Sequence, residues 1–282
     1  MNLLSFEHVG FAYGTSPVLR DVSFTVEPGE TVALLGRNGA GKTTLTKLVV
    51  ALLHPTRGVV RFGGRSIKGK APEDVADRVA YVFQYPDRQL FARTVLDEVA
   101  FAPLRGGMEE REALRLAARA LERVGLSESA DDHPYDLPPA HRKLVTIAAA
   151  VAQQPRLLVL DEPTLGLDRD AGARVQTLLA EESAEGVAIL GVTHDLAFVA
   201  EAMERALVLR GGALTYDAGV RALLAGGDSR ELDLAAPPAI RLGQALGLAD
   251  GLIRAGEVAA ALRDRCRGMA APVSSRVPHD QP

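Results

Sequence analysis

Gly36-Arg37-Asn38-Gly39-Ala40-Gly41-Lys42-Thr43 satisfies the pattern G-x-x-x-x-G-K-[ST] without a gap. The glycines let the backbone turn its N–H groups inward around a phosphate, where side chains would collide. Lys42 adds a point charge suited to the β- and γ-phosphates of a nucleoside triphosphate. The Thr43 hydroxyl is a hard oxygen ligand suited to Mg2+. Thr44 follows, and Leu45, Leu48, Val49 and Leu52 share one helical face. The N-terminal dipole of that helix would point at the same anion. Upstream, Thr31-Val32-Ala33-Leu34-Leu35 is a continuous apolar run of strand length, the pattern of a strand covered on both faces. Strand, glycine-rich loop and helix in that order predict an α/β chain with a parallel sheet.

A second apolar run, Leu157-Leu158-Val159-Leu160, ends in Asp161-Glu162. With the phosphate loop on a parallel neighbour, Asp161 is placed to hold Mg2+, largely through water. Glu162 is placed to polarise the attacking water as general base. Helices are predicted at 109–124, with Gly125 beyond the end, at about 142–153 and at about 169–182, the last leading to a strand at 187–192. Residues 3–9 and 22–26 read as short strands, with a turn at Pro28-Gly29-Glu30. The helices between about 88 and 153 interrupt the strand–helix alternation and predict an inserted helical lobe. The α/β pattern stops near 226. Short helices are expected near 238–246 and 256–263, within a small helical extension over 227–266. Residues 267–282, polar and rich in Pro and Ser, are expected to be disordered.

The 282 residues are 47% hydrophobic and 24% charged, with a formal charge of −4. Acids and bases are interspersed, which argues against a nucleic-acid partner. Cys266 stands alone, so no internal disulfide is expected. The opening Met1-Asn2-Leu3-Leu4-Ser5-Phe6-Glu7 lacks the regions of a signal peptide. No apolar run approaches the ~18 residues needed to cross a bilayer. Work at a membrane would therefore need another chain.

These residues resemble the ATP-binding cassette (ABC) family over about 3–225. The resemblance implies a P-loop NTPase fold of the ABC ATPase type: a mostly parallel sheet core, an N-terminal antiparallel β subdomain and an inserted helical subdomain. It implies ATP and Mg2+ as ligands. Tyr13 resembles the aromatic residue that stacks on adenine. Gln84, in Tyr81-Val82-Phe83-Gln84, resembles the glutamine that senses Mg2+ and joins the core to the helical lobe. Pro163-Thr164-Leu165-Gly166-Leu167-Asp168 resembles the loop that crosses to a partner subunit, and His194 the switch histidine that reaches the γ-phosphate. Catalysis would then fall to Lys42, Gln84, Glu162 and His194.

The stretch from Gln84 to Pro103 looks like the ATPases of energy-coupling-factor importers of cobalt, nickel and vitamins. Pro237-Pro238 and Leu246-Gly247-Leu248 resemble that group's C-terminal extension, which often contributes to ATPase pairing. The resemblance implies a peripheral protein on the cytoplasmic face of the membrane. Its partners would be an integral membrane coupling protein and a separate membrane protein that binds the substrate.

One segment departs from the family. Where its signature reads Leu-Ser-Gly-Gly-Gln, this chain has Leu137-Pro138-Pro139-Ala140-His141. In the family, the serine hydroxyl and glycine N–H groups bind the γ-phosphate of the ATP held by the other subunit. Proline offers neither group. The expectation is a heterodimer with a second ATPase that carries an intact signature. Other ABC transporter subgroups and a nucleotide sensor with little hydrolysis remain open. A soluble cassette ATPase of translation or DNA repair is disfavoured by the acidic balance and the single cassette.

Overall fold

The computed structural model describes residues 2–225 and 236–269. The chain opens with an antiparallel hairpin, β1 (Leu4–Tyr13) and β2 (Ser16–Val26). Both strands run past the expected 3–9 and 22–26. Their register shifts at several points and His8 and Asp21 take φ of 50° and 52°, which hides the alternation from a sequence reading. β3 (Thr31–Leu35) is buried throughout and feeds the glycine loop into α1 (Lys42–Val49). β4 (Arg57–Phe62) and β5 (Arg65–Ser66) complete a four-stranded antiparallel sheet in the order β2-β1-β4-β5.

After β6 (Val79–Val82) come the three helices of the lobe: α2 (Val95–Arg105), α3 (Glu110–Val124) and α4 (Pro139–Ala152). The Thr94 side chain caps α2 by accepting from the Asp97 N–H. Gly125, at φ 75°, closes α3 in the left-handed conformation expected of it. Helix α4 begins at Pro139, three residues before the predicted start. A proline at the first helical position is favoured because its missing N–H has no partner to lose.

The chain then builds the second sheet through β7 (Leu157–Asp161), α5 (Arg169–Ala184), β8 (Ala188–Val192), α6 (Leu196–Ala202), β9 (Arg205–Arg210) and β10 (Ala213–Gly219). Its order is β10-β9-β3-β8-β7-β6, parallel except for the β10 edge. Side chains of β3 alternate between two cores. Ala33 and Leu35 join the helices α2 to α6, while Val32 and Leu34 join α1 and the antiparallel sheet. The fold class is the one expected. The lobe is tied to the core by Arg123 of α3, which bonds Glu181 (2.8 Å) and the buried Glu182 of α5.

α7 (Val220–Ala225), α8 (Pro238–Ala245) and α9 (Ala255–Met269) follow. Ile240 and Ile253 are buried in the helix-side core, and Arg221 bonds Glu257 (2.5 Å). Helix α9 runs past the predicted 263 and takes in 267–269, the start of the stretch expected to be disordered. Ala, Leu and Arg, all strong helix formers, fill 259–267 except at Asp264 and Cys266. The expectations for 227–235 and 270–282 lie outside the described residues. Among the described residues no helix is long and apolar enough to cross a membrane.

Candidate active site

Four elements end at one rim of the parallel sheet: the loop after β3 and the ends of β6, β7 and β8. The loop is shaped by backbone that only glycine adopts without strain. Gly36, Gly39 and Gly41 take φ of 146°, 80° and 106°. A Cβ on Gly36 would stand 2.4 Å from the Leu209 carbonyl oxygen, so the close approach of loop and β9 needs glycine there. A cleft of about 260 Å3 runs between 36–40 and 208–211. Gly41 caps α1 through its backbone alone, and no acid sits in the first turn, so the helix N-terminus favours an anion. Lys42 Nζ donates to the carbonyls of Gly36 (2.7 Å) and Arg37 (3.2 Å), which holds the ammonium over the loop. Burial lowers the Lys42 pKa, against the opposing pull of Glu162 and Asp161. Arg37, Asn38 and Gly39 are exposed, as is Thr43, while Ala40 and Thr44 are buried.

Asp161 ends β7. Burial, and then the neighbouring Glu162 carboxylate, raise its pKa. Tyr81 of β6 donates its hydroxyl to Asp161 Oδ2 at 3.3 Å and also meets Thr46 Oγ1 of α1 at 3.3 Å. Burial pushes the Tyr81 phenol up to about 12, so it remains a neutral donor.

Glu162 sits at φ 49°, unusual for a side chain of its size, at a cost of about 1–3 kcal/mol. Its N–H donates to the Val192 carbonyl at 2.8 Å. Its carboxylate is gripped from the end of β8: Thr193 donates its hydroxyl to Oε2 at 2.9 Å, and His194 Nδ1 lies 2.7 Å from Oε1. The Glu162 side chain is 13% exposed and that of His194 67%, so the pair joins a sheltered acid to an accessible imidazole.

The remaining predicted residues are placed as follows. Gln84 is half-buried just past β6, beside β7 in the sheet. Asp168 caps α5 by accepting from the Ala171 N–H at 2.8 Å. Tyr13 is exposed near the hairpin tip, edge-on to Phe11, and residues 18 and 19 of the same hairpin approach Gly41. Leu137 is buried and Pro138 and Pro139 are exposed, so the segment 137–141 opens α4 with Ala140 and His141 as its first N–H groups. Arg142 ties the segment to the turn after β6, donating to the Leu137 carbonyl (2.9 Å) and to Asp87 of that turn (3.0 Å).

Three contributors escaped the sequence reading. Thr193 and Tyr81 carry hydroxyls that nothing in a strand-end pattern singles out. Lys143 reads as one more charge on a helix, yet it is 1% exposed. Its ammonium donates to the carbonyls of Phe83 (2.8 Å), Gln84 (3.0 Å) and Asp161 (3.2 Å). Burial lowers its pKa to about 8, with Asp161 and Glu162 pulling the other way.

The profile of the ABC transporter family matches residues 19–165, more than half of the chain. The chain belongs to the ABC transporter ATPase family. An ABC transporter ATP-binding protein of Caldanaerobacter subterraneus is 34% identical to this cassette over 247 residues, covering 87% of the chain. The cassette spans only 43% of that relative's length. Several relatives bear the name energy-coupling factor transporter ATP-binding protein. That of Latilactobacillus sakei is 35% identical over 282 residues, covering 93% of this chain and 96% of its own. Among solved structures, cbiO1 of Clostridium perfringens, described as part of the ABC transporter complex cbiONQ, aligns with a TM-score of 0.75 at 28% identity. That alignment covers 88% of the cassette and 99% of cbiO1. The resemblance read from the motifs is thereby borne out for the family.

Proposed function

We propose that this cassette binds ATP with Mg2+ and hydrolyses it as one ATPase of an energy-coupling-factor type importer of a metal ion or vitamin. The observation that carries the reading is the meeting of loop 36–43, Asp161, Glu162 and His194 at one rim of the sheet. The relatives' names and the likeness to cbiO1 support the subgroup.

In this reading the N–H groups of 36–44 and the Lys42 ammonium hold the phosphates, and Tyr13 stacks on adenine. Glu162, aimed by Thr193 and His194, takes the proton of the attacking water. His194 reaches the γ-phosphate, where it steadies developing charge. Thr43, Asp161 and Gln84 would hold Mg2+, directly or through water. Their hydroxyl, carboxylate and carboxamide oxygens are hard and few, the set that suits an ion retaining water and phosphate ligands. Among the described residues no three His, Cys, Asp or Glu gather into an all-protein metal cage, so one carboxylate with the nucleotide is the fitting arrangement. When bound, Mg2+ neutralises charge on the phosphates.

The unit over 1–226, with its lobe at about 88–153, would pair with a second cassette ATPase whose intact signature completes this chain's site. The prolines at 138 and 139 would leave the reciprocal site weak. Asp168 lies in the loop that crosses between the subunits, and the 227–266 extension adds to the pairing. ATP held between the cassettes favours the closed pair, hydrolysis releases it, and the lobe passes the motion to an integral membrane protein on the cytoplasmic face.

Recovery of this chain from detergent-solubilised membranes tests the assignment. The expected companions are a second cassette ATPase with an intact signature and a small integral membrane protein. A dedicated permease pair with a solute-binding protein would place it in another ABC subgroup and contradict the proposal.

A further inference from the structure

Lys143 stands at the first turn of α4, in the lobe, yet its ammonium is spent on the sheet rim. All three of its N–H donors find main-chain carbonyls: Phe83 at 2.8 Å, Gln84 at 3.0 Å and Asp161 at 3.2 Å. A lysine this deep is uncommon, and among the described residues its hydrogen-bond partners are carbonyls, not carboxylates. The third carbonyl is the informative one. It belongs to the peptide that joins Asp161 to Glu162. The N–H of that same peptide donates to the Val192 carbonyl at 2.8 Å. The peptide plane is thus fixed at both ends, one by Lys143 and the other by β8. Just beyond it Glu162 takes φ 49°, a conformation that costs energy and persists only where its surroundings impose it. The carboxylate direction toward Thr193 and His194 follows from that backbone. The two other carbonyls, of Phe83 and Gln84, fix the turn that follows the neighbouring strand β6.

We propose that Lys143 is a positioning residue for ATP hydrolysis, its ammonium pinning the Asp161–Glu162 peptide and the Gln84 turn in one geometry. The inference rests on the reading of Glu162 as the base. Lys143 acts through Glu162 and never meets the nucleotide. Freed from the clamp, the peptide can rotate, Glu162 relaxes from its left-handed backbone, and the carboxylate leaves the line of attack. Misplacement of that kind costs rate far more than affinity.

The test is steady-state Mg2+-ATP hydrolysis by the complex purified with its partners, for wild type, Lys143→Met, Glu162→Gln and the double variant. Methionine keeps the volume and loses the three donors. Lys143→Met is expected to lower kcat on the order of tenfold to a hundredfold with KM for ATP little changed. Added to Glu162→Gln, it should cost nothing further, because the group it positions has already been disabled. Lys143→Gln, which keeps two N–H donors on a shorter arm, should fall between wild type and Lys143→Met and guards against a folding defect in the latter. Wild-type kcat in both Lys143 variants would overturn the proposal, as would losses that multiply in the double variant. A wild-type complex with no Mg2+-ATP hydrolysis, or a Glu162→Gln complex of normal turnover, would contradict the functional reading itself, a result distinct from either of these.

Discussion

Glu162→Gln is expected to leave Mg2+-ATP affinity intact while slowing hydrolysis by about 10²- to 10⁴-fold, the usual worth of a positioned general base. The substitution removes basicity and little else. The side chain keeps its length and its oxygen can still accept from Thr193, which now bonds Oε2 at 2.9 Å. The backbone bond to Val192 is untouched. Because ATP still binds and is no longer consumed, the closed pair of cassettes should accumulate. Single-turnover hydrolysis and size-exclusion chromatography of the assembled pair with Mg2+-ATP measure both effects. Wild-type turnover in the variant would remove Glu162 from the role of base.

The isolated chain is expected to turn ATP over at least about a hundredfold more slowly than the same chain assembled with the proposed second ATPase. In a pair made of two copies, each nucleotide would face residues 137–141 of the other copy. Pro138 has no hydroxyl and no N–H, and Pro139, the first residue of α4, has no N–H either. One missing donor to transition-state charge costs about 3 kcal/mol, or about a hundredfold in rate, and here more than one is missing. Steady-state turnover over a range of protein concentration makes the comparison. Brisk, cooperative hydrolysis by the pure chain would show that Ala140, His141 and the α4 N-terminus suffice.

Most of the candidate site was legible in the sequence because its parts are local. The phosphate loop is eight consecutive residues between a strand and a helix, and β3, β7 and β8 are buried on both faces, so their apolar runs stand out. What escaped was set by tertiary contact. The hairpin strands came out too short because bulges break their alternation. Helix α4 was expected to start at about 142, whereas Pro139 occupies the first helical position, where proline is favoured. Helix α9 was cut short because composition suggested a tail where helix formers continue. Tyr81, Thr193 and Lys143 gain their roles from neighbours 80, 31 and 18 residues away in the chain, distances over which a pattern carries no signal. Lys143 is the sharpest case, since a lysine near a helix start is read by default as solvated.

The account rests on a loop and a lysine gripping a triphosphate at the edge of a parallel sheet. Equilibrium binding of ATP to the purified chain, with and without Mg2+ and before and after Lys42→Ala, tests it most directly. Wild type should bind ATP in a Mg2+-dependent manner, and Lys42→Ala should weaken that binding at least roughly tenfold, the worth of one charge-assisted contact to phosphate. Mg2+-dependent affinity that survives the loss of Lys42, or no affinity in wild type, would contradict the account.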